Sequence, residues 1–179
     1  MKKIAGLFTL SIILVACGSN LVETAAPSDS LLFPMELTYQ GAPAIGDMAN
    51  VQTVMEWNKR LSELNTDLGD LLADTVTWHL YDGTEMTSSR DSTLSVIKGL
   101  ITNMDSVNLI YTAVVPIDVT PLDKGKDEWV VSWTNETYYL KNGKKEHHFI
   151  HEDYKLVGGL IREVFQYARM EAPPATAAR

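Results

Sequence analysis

From residue 127 to 170 the chain alternates apolar and polar side chains in three runs, interrupted at Asn142-Gly143 and at Gly158-Gly159. A period of two puts successive side chains on opposite faces of a strand, and turn dipeptides reverse the chain, so the stretch predicts three consecutive antiparallel strands. Upstream the period changes. Met48, Val51, Val54, Met55, Leu61 and Leu64 recur at helical spacing behind Asp47, a good N-cap, and predict an amphipathic helix of about five turns. A second, short helix is expected over residues 67–73. Val76, Trp78 and Leu80 then alternate with polar neighbours as a half-buried strand closed by Asp82-Gly83. Ser88-Ser89-Arg90-Asp91 reads as a loop ending in an N-cap, Asp91, for a third helix carrying Leu94, Ile97, Leu100, Ile101 and Met104. A long strand over residues 107–119 follows, in which Pro116 implies an edge position or a bulge.

Helices gathered ahead of a run of strands define the α+β class. The expected architecture is a curved, mostly antiparallel sheet covered by about three N-terminal helices, which leaves a cone-shaped interior. The domain is expected over residues 47–170.

The ends of the chain follow other rules. Lys2 and Lys3 precede an apolar run over residues 4–15, too short for the roughly 20 residues that span a bilayer, and the run ends in Leu14-Val15-Ala16-Cys17. That ending resembles a bacterial lipobox. Residues 1–16 are therefore expected to be a lipoprotein signal peptide, with Cys17 carrying lipid and palmitate-type acyl chains as a stable membrane anchor. Gly18 and Ser19 lack the aspartate associated with inner-membrane retention, so the expected location is the bacterial cell envelope, at the outer membrane. Residues 17–46 read as a tether whose second half, with Leu31, Leu32, Phe33, Met35, Leu37 and Tyr39, is apolar enough to lie extended against the domain. Residues 171–179 have no periodicity and are expected to be disordered.

Cys17 is the only cysteine, so no disulfide supports the fold. Loss of Lys2 and Lys3 leaves 13 basic against 23 acidic residues, a net charge near −10. That balance disfavours nucleic acid and anionic membrane surfaces as partners, and it equally suits plain solubility.

The order of elements and several motifs resemble the nuclear transport factor 2-like superfamily, above all its SnoaL-like branch. The residues that carry the resemblance are Leu71-Leu72-Ala73-Asp74 leading into Thr77 and Gly83, then Gly143-Lys144 through His151-Glu152-Asp153-Tyr154-Lys155 to Gly159-Leu160-Ile161 and Gln166-Tyr167. Within it the chain is most similar to secreted SnoaL-like proteins of Bacteroidetes type. The resemblance implies the cone fold and a homodimer paired through the sheet face. It implies no single activity, because isomerases, cyclases, dehydratases and pure binders share the scaffold. Ketosteroid isomerase tests the point. Aligned on its last hairpin, Glu152 takes the place of the protonated oxyanion-hole carboxyl, but the position of the general base falls on Leu80, and the first helix has no tyrosine. Leu80 cannot abstract a proton, so that mechanism is not carried over.

Alternation then selects candidates. If Glu152 faces the interior, so do His148, Ile150, Tyr154 and Leu156, whereas His147, Phe149, His151, Asp153 and Lys155 face out; a one-residue bulge would reverse this. Glu152, His148 and Tyr154 are the candidate acid–base or anchoring groups. A buried Glu152 paired to His148 or Tyr154 for structure alone is the competing reading. Trp78, Leu80, Trp133 and Phe165, with Tyr139, are candidate walls of a ligand pocket, or simply core, and Trp57 is placed to close the mouth. His147 and His151 stand about 13 Å apart along a strand, too far for one ion whose ligands sit about 2.0 to 2.1 Å away, so no metal site is expected. Neither is a cofactor, since no phosphate loop, nucleophile elbow or free cysteine nucleophile occurs.

Three functions remain open: a membrane-tethered module holding a small hydrophobic or amphipathic molecule in the cone; a small-molecule isomerase, cyclase or lyase using Glu152 or His148; and an envelope interaction module whose cone is filled.

Overall fold

The computed structural model describes residues 39–121 and 126–170, with side chains from residue 43 onward. The signal peptide, Cys17, the tether through residue 38 and the C-terminal tail lie outside the described residues. Along the described chain run β1 (Tyr39–Ile45), α1 (Met48–Ser62), a single 3-10 turn (Gly69–Leu71), β2 (Leu72–His79), β3 (Glu85–Ser89), α2 (Arg90–Ile101), β4 (Met104–Pro121), β5 (Asp127–Leu140), β6 (Lys145–Val157) and β7 (Leu160–Met170). The strands form one sheet in the order β1-β4-β5-β6-β7-β2-β3. Only β2 and β7 run parallel; every other neighbouring pair is antiparallel.

The three-strand stretch folds as the alternation predicts, as β5, β6 and β7. Gly143, Gly158 and Gly159 take φ of 81°, 59° and 77° at the two reversals, a region in which any other residue carries a steric cost. Asp47 caps α1, its side chain accepting from the Ala49 N–H at 2.8 Å. Pro116 lies just past the β1–β4 ladder, where its carbonyl accepts from the Gly46 N–H at 3.1 Å. Its missing donor therefore faces the β1 side and removes no bond from the β4–β5 ladder.

Four expectations need correction. The helix expected over residues 67–73 is only the 3-10 turn Gly69–Leu71, and the strand begins at Leu72. Leu71 and Leu72 are both buried, one from the turn and one from the strand, so an apolar pair that looked helical serves two elements. Two α-helices, not three, therefore cover the sheet among the described residues. Ser89 rather than Asp91 caps α2, its hydroxyl accepting from the Ser92 N–H. Finally, Ser88 and Ser89 are strand, because residues 85–89 fold back on β2 through the Asp82-Gly83 turn as β3.

The dry core occupies one half of the cone. Val51, Val54 and Trp57 of α1 meet Leu72 and Val76 of β2, Val130 of β5, Tyr154 and Leu156 of β6, and Ile161 and Val164 of β7. Two arginines fasten the helices to the start of β2. Arg60 bonds Glu56, the Asp67 carbonyl and both oxygens of Asp70, and Arg90 bonds the Leu72 carbonyl and Asp74. The Arg60–Asp70 pair is bidentate and Arg90 is held by two separate acceptors, so the ties are directional and fix helix position more than they stabilise the fold.

Gly46 joins β1 to α1 where there is no room for a side chain. A Cβ there would stand 2.9 Å from Asp118 Oδ1 and 3.1 Å from the Ile117 backbone nitrogen. Gly46→Ala should cost about 1–3 kcal/mol by overpacking and speed amide exchange in β1. Exchange in β1 as slow as in the parent would show that the junction yields without strain.

Candidate functional site

The inner face of the sheet changes character along its strands. On β5 the inward positions run Val130, Ser132, Thr134, Glu136 and Tyr138; on β6, read the opposite way, they run Leu156, Tyr154, Glu152, Ile150 and His148. Apolar residues pack the core at one end, and polar ones take over toward the other. There the wall stands away from α2 and encloses a cavity of about 350 Å³, the lower part of the range for small-ligand sites.

Trp57 and Leu61 of α1, Trp78 and Leu80 at the end of β2, Ile97 and Leu100 of α2, and Val107 and Leu109 of β4 supply apolar walls. Asn58, Glu136, Tyr138, Glu152 and Gln166 supply the polar groups. The cone is thus hollow, unlike the filled cone of the third reading.

Two carboxyls organise the polar side. Glu152, 7% exposed, accepts from Gln166 Nε2 at 2.9 Å and from the Tyr154 hydroxyl. The Tyr154 oxygen also stands 3.3 Å from the Asn58 side-chain amide. Glu136 repeats the motif two residues apart on β5, accepting from Thr134 Oγ1 at 2.8 Å and from the Tyr138 hydroxyl. Burial, and secondly repulsion from Glu136, push the Glu152 carboxyl up to about 7, against the hydrogen bonds from Tyr154 and Gln166 that favour its charged form. Burial and the adjoining carboxylate hold the Tyr154 and Tyr138 phenols well above their usual range, and burial pushes Tyr111 up to about 12. The phenols therefore stay protonated and act as donors. Glu152, unlike these phenols, is poised to gain or lose a proton near neutrality.

Several buried polar atoms have no partner among the described residues. They include Asn58 Nδ2 and Trp78 Nε1 at the cavity wall, and Tyr111 Oη and Ser132 Oγ nearby. Buried polar groups in folded proteins are nearly always hydrogen-bonded, to water where no side chain serves, so these atoms have capacity for water or a ligand.

The sequence candidates divide accordingly. Glu152, Trp78 and Leu80 line the cavity, and Trp57 closes it from α1, with its ring centre 5.8 Å from that of Trp78. Tyr154 sits behind Glu152 in the core. His148 is inward and buried but does not line the cavity; its Nε2 lies 3.5 Å from Glu146, and its ring stands edge-on to Tyr138.

Trp133 and Phe165 are corrections. Trp133 is on the outer face, 40% exposed and stacked on His151, and Tyr139 shares that face with the same exposure. Phe165 stacks on His79, ring centres 4.0 Å apart, also outside the cone. His147 and His151 likewise bond outer-face partners, Thr137 and Asp153. Glu136, Tyr138 and Gln166 escape the sequence reading because only strand parity signals them, and Asn58 because its signal is helical spacing, next to Trp57 on the buried side of α1.

No family model matches the chain, and no curated protein matches it. Solved structures do. An epoxide hydrolase of the LEH-like kind from M. tuberculosis superposes with a TM-score of 0.56 at 9% identity, covering 68% of this chain and 84% of its own. An NTF2-like protein from Exiguobacterium sp. 255-15 gives 0.51 at 14%, covering 65% and 98%. A candidate SnoaL-like polyketide cyclase from Jannaschia sp. CCS1 gives 0.53 at 11%, covering 68% and 86%. At these identities the likeness speaks to fold. The chain has the α+β cone fold of the nuclear transport factor 2-like superfamily, in the company of SnoaL-like and isomerase-like proteins.

Proposed function

We propose that the domain binds a small, mainly apolar molecule in the cone, with its polar end against Glu152, Gln166 and Asn58, while a lipid on Cys17 tethers it to the bacterial cell envelope. The observation that carries the reading is the cavity: apolar on three sides, with a hydrogen-bonded carboxyl on the fourth. No helix among the described residues is long and apolar enough to cross a bilayer, so attachment in this reading falls to Cys17. One observation favours a second reading, an isomerase, cyclase or lyase: a carboxyl that titrates at about 7 inside an apolar cavity suits a general acid or base.

Native mass spectrometry of the protein taken from its own membranes tests the first reading. The expected spectrum shows a chain beginning at an acylated Cys17 and a small molecule that leaves on activation. A chain that is unacylated and carries no molecule would remove both parts of the proposal. Glu152→Gln separates the two readings once the molecule is known. It should abolish turnover, by at least about a hundredfold for a lost general acid–base group, if the cone is catalytic, and only weaken affinity if it is not.

A further inference from the structure

We infer that the molecule held in the cone carries a positive charge: an organic amine or ammonium ion with an apolar body. The inference rests on reading the cone as a binding site and narrows what that site selects.

Two buried carboxyls, Glu136 and Glu152, line one cavity, and no lysine, arginine or histidine lines it with them. Arg60, Arg90 and Lys155 are engaged elsewhere, with Glu56 and Asp70, with Asp74 and with Asp127. His148, inward on β6 but outside the cavity lining, turns its Nε2 toward Glu146. Buried carboxylates are ordinarily paired with a cation or neutralised. Here each is met only by neutral donors: a tyrosine and a threonine on Glu136, a tyrosine and a glutamine on Glu152. A carboxylate or phosphate ligand would add a further like charge to an apolar enclosure. A cation offsets both, and its N–H groups meet acceptors already in place, while the faces of Trp57 and Trp78 suit an ammonium group.

A second observation concerns the ligand's body. Asn58, 3% exposed, and Trp78 each present a buried donor without a partner at the cavity wall. Two such donors ask for an acceptor on the ligand, such as an ether or hydroxyl oxygen.

Proton linkage gives a signature. Facing Glu152 are Tyr154 from β6, Glu136 and Tyr138 from β5, and Tyr111 from β4, while His148 stands four residues, about 13 Å, along β6; α1, α2, β2 and β7 bring only uncharged groups to the cavity, Asn58 and Gln166 among them. A bound cation favours ionised Glu152, so binding expels its proton when the pH is below the carboxyl's own value.

The test is titration calorimetry of the full mature chain with three probes sharing one body: 3-phenoxypropylamine, 3-phenoxypropanol and 3-phenoxypropionate. At pH 8 the amine should bind at least about tenfold more tightly than the alcohol, as one charge-assisted hydrogen bond would give, and the carboxylate should not bind. Between pH 8 and pH 6 the amine should weaken by up to about tenfold while the alcohol stays level. Glu152→Gln should remove most of the amine's advantage and flatten its profile. An alcohol that binds as tightly as the amine would overturn the charge inference and leave the binding site standing. If none of the three binds, the cone is not a site for such molecules, and both fall. A pH slope that persists in Glu152→Gln would place the titration on another group and overturn the part assigned to Glu152.

Discussion

Trp57→Ala should remove about 3–5 kcal/mol of folding stability, the usual cost of truncating a buried tryptophan. Trp57 is 2% exposed and is the largest of the fully buried side chains. It belongs to the dry core with Val54 and Leu68, and it also forms the wall of the cavity against Trp78. Truncation therefore loses contacts on two sides, and the hollow already beside it spares the neighbours any pressure to close the gap. Against a typical margin of 5–15 kcal/mol that loss is large. Urea unfolding followed by circular dichroism should show a lower midpoint at unchanged slope, and Trp57→Phe, which keeps a ring in the gap, should recover part of the loss. A drop below about 1.5 kcal/mol would mean that the arginine ties and the strands hold α1 without it.

The same residue shows how much of the fold was legible. Helical spacing placed Trp57 on α1, and alternation grouped Glu152 with His148, Ile150, Tyr154 and Leu156 on one face, because both patterns are local. Trp133, Tyr139 and Phe165 were different. A two-residue turn at Asn142-Gly143 would set Trp133 opposite Glu152, facing inward, and Tyr139 would follow on the same face. Instead Leu140 and Lys144 close a three-residue loop, with Gly143 at φ 81°. Ser132 now faces Glu152, and Trp133 faces His151. One extra loop residue moves every side chain of β5 to the other face.

Phe165 repeats the lesson at the next turn. Val157 pairs with Leu160 and Leu156 with Ile161, a register that would carry Phe165 to Glu152. A bulge at Arg162 shifts the remainder of β7, so Gln166 meets Glu152 and Phe165 turns outward. Glu136 was hidden by the same arithmetic, since its face depends on the length of a loop that composition alone does not set: Asn-Gly suits two loop lengths. The site's second carboxyl was therefore present in the sequence but had no assigned side.

Glu152 should make the domain lose stability as the pH rises from about 4.5 to about 7, opposite to the common behaviour of carboxylates. Unfolded, its carboxyl ionises at the ordinary 4.5; folded, it holds its proton until about 7. Between those values the native state binds a proton that the unfolded state has released, so each increment of pH favours unfolding. The contribution is intact below 4.5 and fully lost above 7, and a difference of this size corresponds to about 3 kcal/mol. Burial of the carboxyl keeps solvent screening from erasing it. Carboxyls tied to surface cations do not blur the window. Arg60 holds the carboxyls of Glu56 and Asp70 below their usual range, and Lys144 does the same for Glu146. Their stabilisation is lost only as the pH falls below about 4.5. Tyr138 and Tyr154 titrate far above it.

Urea unfolding at pH 5 and pH 8 should therefore show a decline in the parent that is largely absent in Glu152→Gln. The variant should be the more stable protein at pH 8, since a neutral amide in that position carries no charge to desolvate and can still accept from Tyr154. Parallel profiles in the two proteins would mean that the carboxyl is solvated in solution. The cavity it borders would then be wet rather than the sheltered, acid-lined hollow on which a preference for cationic guests depends.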